Sequence, residues 1–369
     1  MKKTISYLSI ISFLFMTYLF ILPKENKFSV DKVREVKDKI GFAQFDRQIT
    51  KIIDRIEKNQ KELLTKAQKN SPNNSTSPWK TVISPHDDYS YVGYLYPALL
   101  KNIKAKTIIM FGVAHGAKKL GLKDKIVFGT YKYWHGPFGS IKVSTVRDEI
   151  LNRLPKDSYT VSNKMQEMEH SLEALLPFIQ FYNRDVSIVP ILVPYISEKG
   201  IEKISSNLTN IIADIVKEKG WVWGKDFAIA ISSDSVHYGD KGWGGKNFAK
   251  FGADQKGYDL AVKHEHEIID NCLTGPISKK KIKRFIHYTV KDDNYIEYKW
   301  TWCGRYSIPF GLSVSLNLEK ILGQTLKGTL IGYATSIDHP HIKVDDLKMG
   351  ITAPANIRHW VGYTAIGYR

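Results

Sequence analysis

From Trp79 onward, short apolar runs alternate with longer amphipathic segments. The runs Thr81–Ser84, Thr107–Val113, Ile126–Thr130, Ser187–Val193, Phe227–Ser232, Gly328–Ala334 and Tyr363–Gly367 have the length and the branched or aromatic content of strands. Between them, Tyr91–Lys104, Ser144–Arg153, Leu172–Tyr182, Glu198–Glu218, Tyr258–Cys272 and Gly311–Leu322 carry apolar residues at helical spacing, which predicts helices. Such alternation predicts one three-layer α/β domain over residues 78–369, with a mostly parallel or mixed central sheet and helices on both faces. No repeat of fixed period interrupts it.

The N-terminal part reads differently. Lys2 and Lys3 precede an apolar run from Ile5 to Leu22, long enough to cross a bilayer as a hydrophobic helix. It ends Phe20-Ile21-Leu22-Pro23-Lys24, without the small residues of a cleavage site. An uncleaved signal-anchor over residues 1–23 is therefore favoured over a cleaved signal peptide. The two leading lysines place the rest outside the cytoplasm. The expected location is a membrane-anchored, extracytoplasmic domain, or a secreted one where the segment is cleaved. In residues 24–77, Ile40, Phe42, Phe45, Ile49, Ile52, Ile53 and Ile56 recur at roughly helical spacing. They predict a helical stalk or a helix packed on the domain, followed by a polar linker over Asn70–Ser77.

Composition adds limits. Hydrophobic residues make up 43% of the 369 and charged residues 25%, which supplies a core and argues against extensive disorder. The net charge of +17 would suit nucleic acid or anionic lipid. No zinc-finger spacing, RNP signature or arginine stripe accompanies it, so no nucleic acid partner is expected. Cys272 and Cys303 form no disulfide framework. In an oxidising compartment they could pair, and a bridged Cys303 could not act as a thiolate ligand.

Several apolar runs end in polar clusters. Ile83-Ser84-Pro85 leads into His86-Asp87-Asp88, Phe111-Gly112 into Val113-Ala114-His115, and Ala230-Ile231 into Ser232-Ser233-Asp234-Ser235-Val236-His237. Ligands of open α/β sheets bind at the carboxyl ends of strands, so these histidines can converge. Imidazole and thiolate suit iron, copper or zinc, and three protein ligands leave a coordination position open. His86, His115 and Cys303 are thus candidate metal ligands, although a buried small hydrophobe is the usual fate of a free cysteine such as Cys303. His237 with Asp234 is a candidate general base, or a turn with a polar cap. His170, in Glu169-His170-Ser171-Leu172-Glu173, opens an amphipathic segment and lacks the second histidine of a zincin site. No G-x-S-x-G elbow supports serine hydrolysis.

Seven short segments, in order, resemble the Memo family (the AmmeMemoRadiSam system protein B type), fold relatives of the class III extradiol dioxygenases. They are Ile83-Ser84-Pro85-His86-Asp87-Asp88-Tyr89, Phe111-Gly112-Val113-Ala114-His115, Trp134-His135-Gly136-Pro137-Phe138-Gly139, Glu169-His170-Ser171-Leu172-Glu173 with Leu176-Pro177-Phe178, Ile188 to Val193, Ser232 to Tyr238, and Cys303-Gly304. The resemblance implies metal ligands at His86, His115 and Cys303. It implies a base at His237 with Asp234, and a substrate cleft lined by His170, Asp87 and Asp88. The cofactor it implies is iron or copper, with zinc as the further option, and the activity an oxygen-activating, dioxygenase-like oxidoreductase. The alternatives are a non-catalytic metal- or peptide-binding protein at the membrane surface, and a metal-dependent hydrolase. A small-molecule or peptide ligand and a functional link to a radical-SAM protein are the implied partners. The chain departs from the family pattern at Asp87-Asp88, where Ala-Gly is usual, and at Gly116, where a second histidine often stands.

Overall fold

Four of the apolar runs pair side by side. The computed structural model describes residues 32–71, 77–243 and 246–369. Strands Ser187–Val193, Thr107–Val113, Phe227–Ser232 and Thr81–Ser84 lie in that spatial order, all parallel. Nearly every residue in them is buried, as a sheet covered on both faces requires. Successive side chains enter opposite cores: Ile108 and Met110 one, Ile109 and Phe111 the other.

Beyond Thr81–Ser84 the sheet turns antiparallel. His359–Tyr368 pairs with that strand, and Lys327–Thr335 pairs in turn with His359–Tyr368. At the other margin Ile141–Val143 runs parallel to Ser187–Val193 and antiparallel to Tyr133–Trp134, which carries Val33–Arg34 beside it. The result is one large mixed sheet with a parallel centre. Helices Asp46–Asn59, Lys61–Lys69, Leu95–Leu100 and Leu176–Tyr182 contribute to one core. Val146–Arg153, Glu198–Lys219, Gln255–Ile268, Lys279–Thr289 and Ser307–Ile321 contribute to the other.

Four strands form with the bounds the pattern predicts. Ile126–Phe128 stops short of Thr130, and the two C-terminal strands extend past their predicted ends. The helix expected over Tyr91–Lys104 is broken into Tyr89–Val92 and Leu95–Leu100. Pro97 lacks the N–H that would bond Gly93 and fits only the first turn of a restarted helix. Pro177 acts likewise, so the helix expected from Leu172 begins at Leu176.

Helices Asp46–Asn59 and Lys61–Lys69 pack on the domain. Ile49, Ile52, Ile53 and Ile56 are 0–5% exposed and share a core with Tyr89, Leu95 and Leu99. Residues Lys32–Arg369 form one compact unit. The driving force is plain: burying each isoleucine stabilises the fold by roughly 1.5–3 kcal/mol, which a solvated stalk would forfeit. The apolar run Ile5–Leu22 lies outside the described residues, as does most of the polar linker. Among the described residues, no helix is long and apolar enough to cross a membrane.

Candidate metal centre

Parallel pairing brings the polar clusters together at one end of the sheet. Ser84 stands opposite Ser232 in register, so His86 and Asp234 both lie two residues past a paired position. The His86 N–H donates to Asp234 Oδ1 at 2.8 Å. Thr107–Val113, next to Phe227–Ser232, delivers His115 two residues beyond its end. Cys303 arrives from a different part of the chain, in the turn before helix Ser307–Ile321. That turn packs closely: a Cβ on Gly304 would lie 2.1 Å from Ser233 Oγ, and the Gly304 N–H donates to that oxygen at 3.1 Å. Only glycine permits this approach.

Hydrogen bonds fix which ring nitrogens are free. Ser232 Oγ donates its one proton to the Ser171 carbonyl at 2.6 Å, so it accepts from His86 Nδ1 at 2.7 Å. His86 then carries its proton on Nδ1 and a lone pair on Nε2. That lone pair faces Cys303 Sγ at 3.4 Å and Asp234 Oδ2 at 3.3 Å. Three potential ligand atoms converge where no imidazole proton is available; a bound cation would take the place of the protons that Cys303 and Asp234 otherwise keep there. Burial, with His115 and His170 nearby, pushes the His86 imidazolium form well out of reach.

His115 is held the same way. Its Nδ1 is 2.9 Å from Glu169 Oε1 and its N–H donates to Oε2 at 2.7 Å. Glu169 Oε1 also accepts the N–H groups of His170 and Ser171, each at 2.9 Å. Burial disfavours the Glu169 carboxylate, but His115 and these backbone donors outweigh it and hold the carboxyl well below its usual range. An ionised carboxylate on Nδ1 leaves Nε2 as the ligating atom and strengthens it as a donor.

The donor set fits a metal. Ligand atoms of His86, His115 and Cys303 lie within 4.8 Å of one another. Tetrahedral metal–nitrogen and metal–sulfur bonds put N and S about 3.6 Å apart, close to the observed 3.4 Å. Cys303 Sγ accepts the Asp234 N–H at 3.1 Å and lies 3.5 Å from the Asp234 carbonyl, to which its S–H can donate. Without a metal, burial and Asp234 push its thiol well above the ordinary range, so a cation must displace a proton there. Both cysteines are free, so no bridge competes for Cys303.

The remaining predicted residues divide. His237 joins the cluster with Asp234 and Cys303. Its Nε2 is buried without a hydrogen-bond partner. Burial and His115 push its imidazole down to about 3, so it is neutral near pH 7. His170 stacks on His115 at 4.8 Å, at the more open side of the site, where its side chain is 37% exposed. Asp87 accepts the Tyr363 hydroxyl at 2.6 Å. Asp88 turns away: its carboxylate takes the Thr352 N–H at 2.5 Å and lies against Gly41. Burial holds the Asp234 carboxyl well above its usual range and also raises Asp87 and Asp88, the latter to about 8, so these neighbouring carboxyls resist ionising together.

Several supporting residues carry no local signal in the sequence. Glu169 stands beside His170 and could have been suspected as its partner, although it serves His115. Arg34 could not: it is buried, bonds the carboxylate of Glu173 and the carbonyls of Gln166 and Glu169, and so steadies the backbone that presents Glu169. Phe42 packs against Tyr89 and His170.

The chain is similar to several curated proteins. A "MEMO1 family protein" of Aquifex aeolicus is 27% identical over 162 residues, covering 43% of this chain and 54% of its own. One from Saccharolobus islandicus is 29% identical over 163 residues, covering 42% and 52%. One from Pyrobaculum arsenaticum is 31% identical over 164 residues, again covering 42% and 52%. The chain thus spans about half the length of the curated relatives it matches. The family described as "Memo-like protein" matches residues 53–346. The chain belongs to that Memo-like family.

Proposed function

We propose that this protein carries a mononuclear iron or copper centre on His86, His115 and Cys303 and acts as an oxygen-activating oxidoreductase related to the extradiol dioxygenases. The observation that carries the reading is that ligand atoms of His86, His115 and Cys303 lie within 4.8 Å of one another, with Cys303 Sγ 3.4 Å from a His86 Nε2 that bears no proton. A set of two imidazoles and one thiolate favours iron, copper or zinc over magnesium or calcium. Bound there, the metal would supply a redox couple and an open coordination position.

The chain's own residues supply the rest. His237 presents an unpartnered Nε2 that can take a hydrogen bond from a substrate hydroxyl, and we assign it the role of base on that geometry. Asp234 holds the His86 backbone and caps the sulfur through its own N–H. His115 and His170 form the stacked wall beside the open side, positioned to meet a planar substrate. Membrane attachment through Ile5–Leu22 and a functional link to a radical-SAM protein belong to the same proposal.

The test is oxygen uptake by protein loaded separately with iron, copper and zinc, over a panel of catecholic and other hydroxylated substrates. Turnover with iron or copper, lost in His237→Gln while metal is retained, is expected. Ester or amide hydrolysis with zinc alone would replace this reading with a hydrolase. Saturable ligand binding that survives metal removal, without turnover, would replace it with a binding protein.

A further inference from the structure

Glu265 lies on helix Gln255–Ile268, outside the set of proposed ligands, and is fully buried. Among the described residues it makes no salt bridge. Its partners are three N–H donors. Oε1 accepts the indole N–H of Trp300 and that of Trp302, both at 2.6 Å. Oε2 accepts the backbone N–H of Val236 at 3.0 Å.

Two of those partners adjoin the metal centre. Trp302 immediately precedes Cys303, and Val236 immediately precedes His237. Val236 and Trp302 also form an isolated antiparallel bridge. Next to it, the His237 N–H donates to the Thr301 carbonyl at 3.1 Å, and the Thr301 hydroxyl donates to the His237 carbonyl at 2.6 Å. One carboxylate therefore pins the segment bearing the sulfur, the segment bearing the base and a helix on the second face of the sheet.

A buried carboxylate with no cation is costly, and stability alone would favour a packed apolar residue. The geometry demands a different chemistry. Three N–H groups point at one side chain, so it must offer acceptors on both terminal atoms. A carboxylate does so; a glutamine at the same length offers one acceptor and turns an N–H against one of the donors.

We infer that Glu265 is a positioning residue that sets the Cys303 sulfur and the His237 imidazole in register across the metal centre. This rests on the metal-centre reading above. It acts through Trp302 and Val236 and touches neither metal nor substrate.

The test is a cobalt(II) titration of the full chain under anaerobic conditions, followed through the thiolate-to-cobalt charge-transfer band. Wild type, Glu265→Gln and Trp302→Phe are compared. Loss of an outer hydrogen bond to a metal site costs about 10- to 100-fold in affinity. Glu265→Gln is expected to fall in that range and to shift or weaken the band, while its far-ultraviolet circular dichroism stays that of wild type. Trp302→Phe removes one donor and is expected to move both readouts the same way by a smaller factor. A folded Glu265→Gln with the wild-type affinity and band would overturn the inference. Should Glu265→Gln not fold, a wild-type titration by Trp302→Phe overturns it instead. Absence of the band in wild type would remove the metal-centre reading itself; a wild-type band with unchanged variants removes only the role of Glu265.

Discussion

Replacing Arg34 by methionine tests how the N-terminal segment supports the domain. The guanidinium is buried, bonds the Glu173 carboxylate and Gln166 carbonyl, and lies 4.4 Å from the centroid of the Trp134 ring. Methionine keeps much of the volume and removes the charge. Glu173 would then retain only the N–H groups of Lys37 and Asp38, at 2.6 to 3.0 Å. Stranding one member of a buried ion pair costs about 3–5 kcal/mol. At about 2.1 cal/mol/K of unfolding entropy per residue, a domain of this size would lose roughly 4–7 °C in Tm. Burial already raises the Glu173 carboxyl even with Arg34 present, and loss of the cation raises it further. A raised carboxyl means the native state holds a proton that the unfolded state has released. The deficit therefore grows as pH rises and shrinks toward about pH 5. Urea unfolding across pH, with Arg34→Met, Glu173→Gln and the double variant, measures this. The double variant should regain most of the loss, because no unpaired charge remains. A single-variant loss under about 1 kcal/mol, or strict additivity in the double, would refute the reasoning.

Other consequences are simpler to check. Ile52→Ala, in helix Asp46–Asn59, should cost about 2–4 kcal/mol in chemical denaturation, because Ile52 is fully buried. Glu169→Gln should fold yet bind metal about 10- to 100-fold more weakly by competition with a chelator, since His115 loses the charge that fixes its Nδ1 proton. Gly304→Ala should lower Tm and metal content together, as the new methyl would displace the Ser233 side chain and the Cys303 turn. In metal-free native protein, neither cysteine should react with a thiol reagent near pH 8; burial pushes Cys272 up to about 12 and Cys303 is likewise raised. Denaturation without reductant should expose both thiols, and a mass corresponding to a bridge would contradict the free pair.

The parts of the fold legible in the sequence are those whose pattern is local. Strands buried on both faces read as unbroken apolar runs, and parallel strands end on one side, so His86 and His115 could be brought together from runs alone. Ile49, Ile52, Ile53 and Ile56 announced an apolar helix face, but not what would cover it. Proline decided two helix starts, at Leu95 and Leu176, where apolar spacing continued across the break. Helix Lys279–Thr289 escaped notice because its charged residues outnumber a narrow stripe of Ile282 and Phe285. Strands near the sheet margin such as Val33–Arg34 and Tyr133–Trp134 are two residues long, below any period that could reveal them.

At the site, residue types whose chemistry is rare outside function stood out, whereas the groups that orient them did not. Glu169 lies 54 positions from His115, Arg34 lies 132 from Gln166, and Glu265 lies 37 from Trp302. A buried glutamate or arginine has the same letter as a solvated one, and only tertiary pairing distinguishes them. Asp88 illustrates the converse. It sits two residues from His86 in the sequence, yet its carboxylate is spent on Thr352.

Metal analysis of anaerobically purified protein addresses the central claim most directly. Wild type, His86→Ala, His115→Ala and Cys303→Ala would be compared by elemental quantification, each with its fold checked by circular dichroism. The account predicts near-stoichiometric iron or copper in wild type and loss of it in all three variants. A wild type that holds no metal after reconstitution, or folded variants that keep it, would contradict the account.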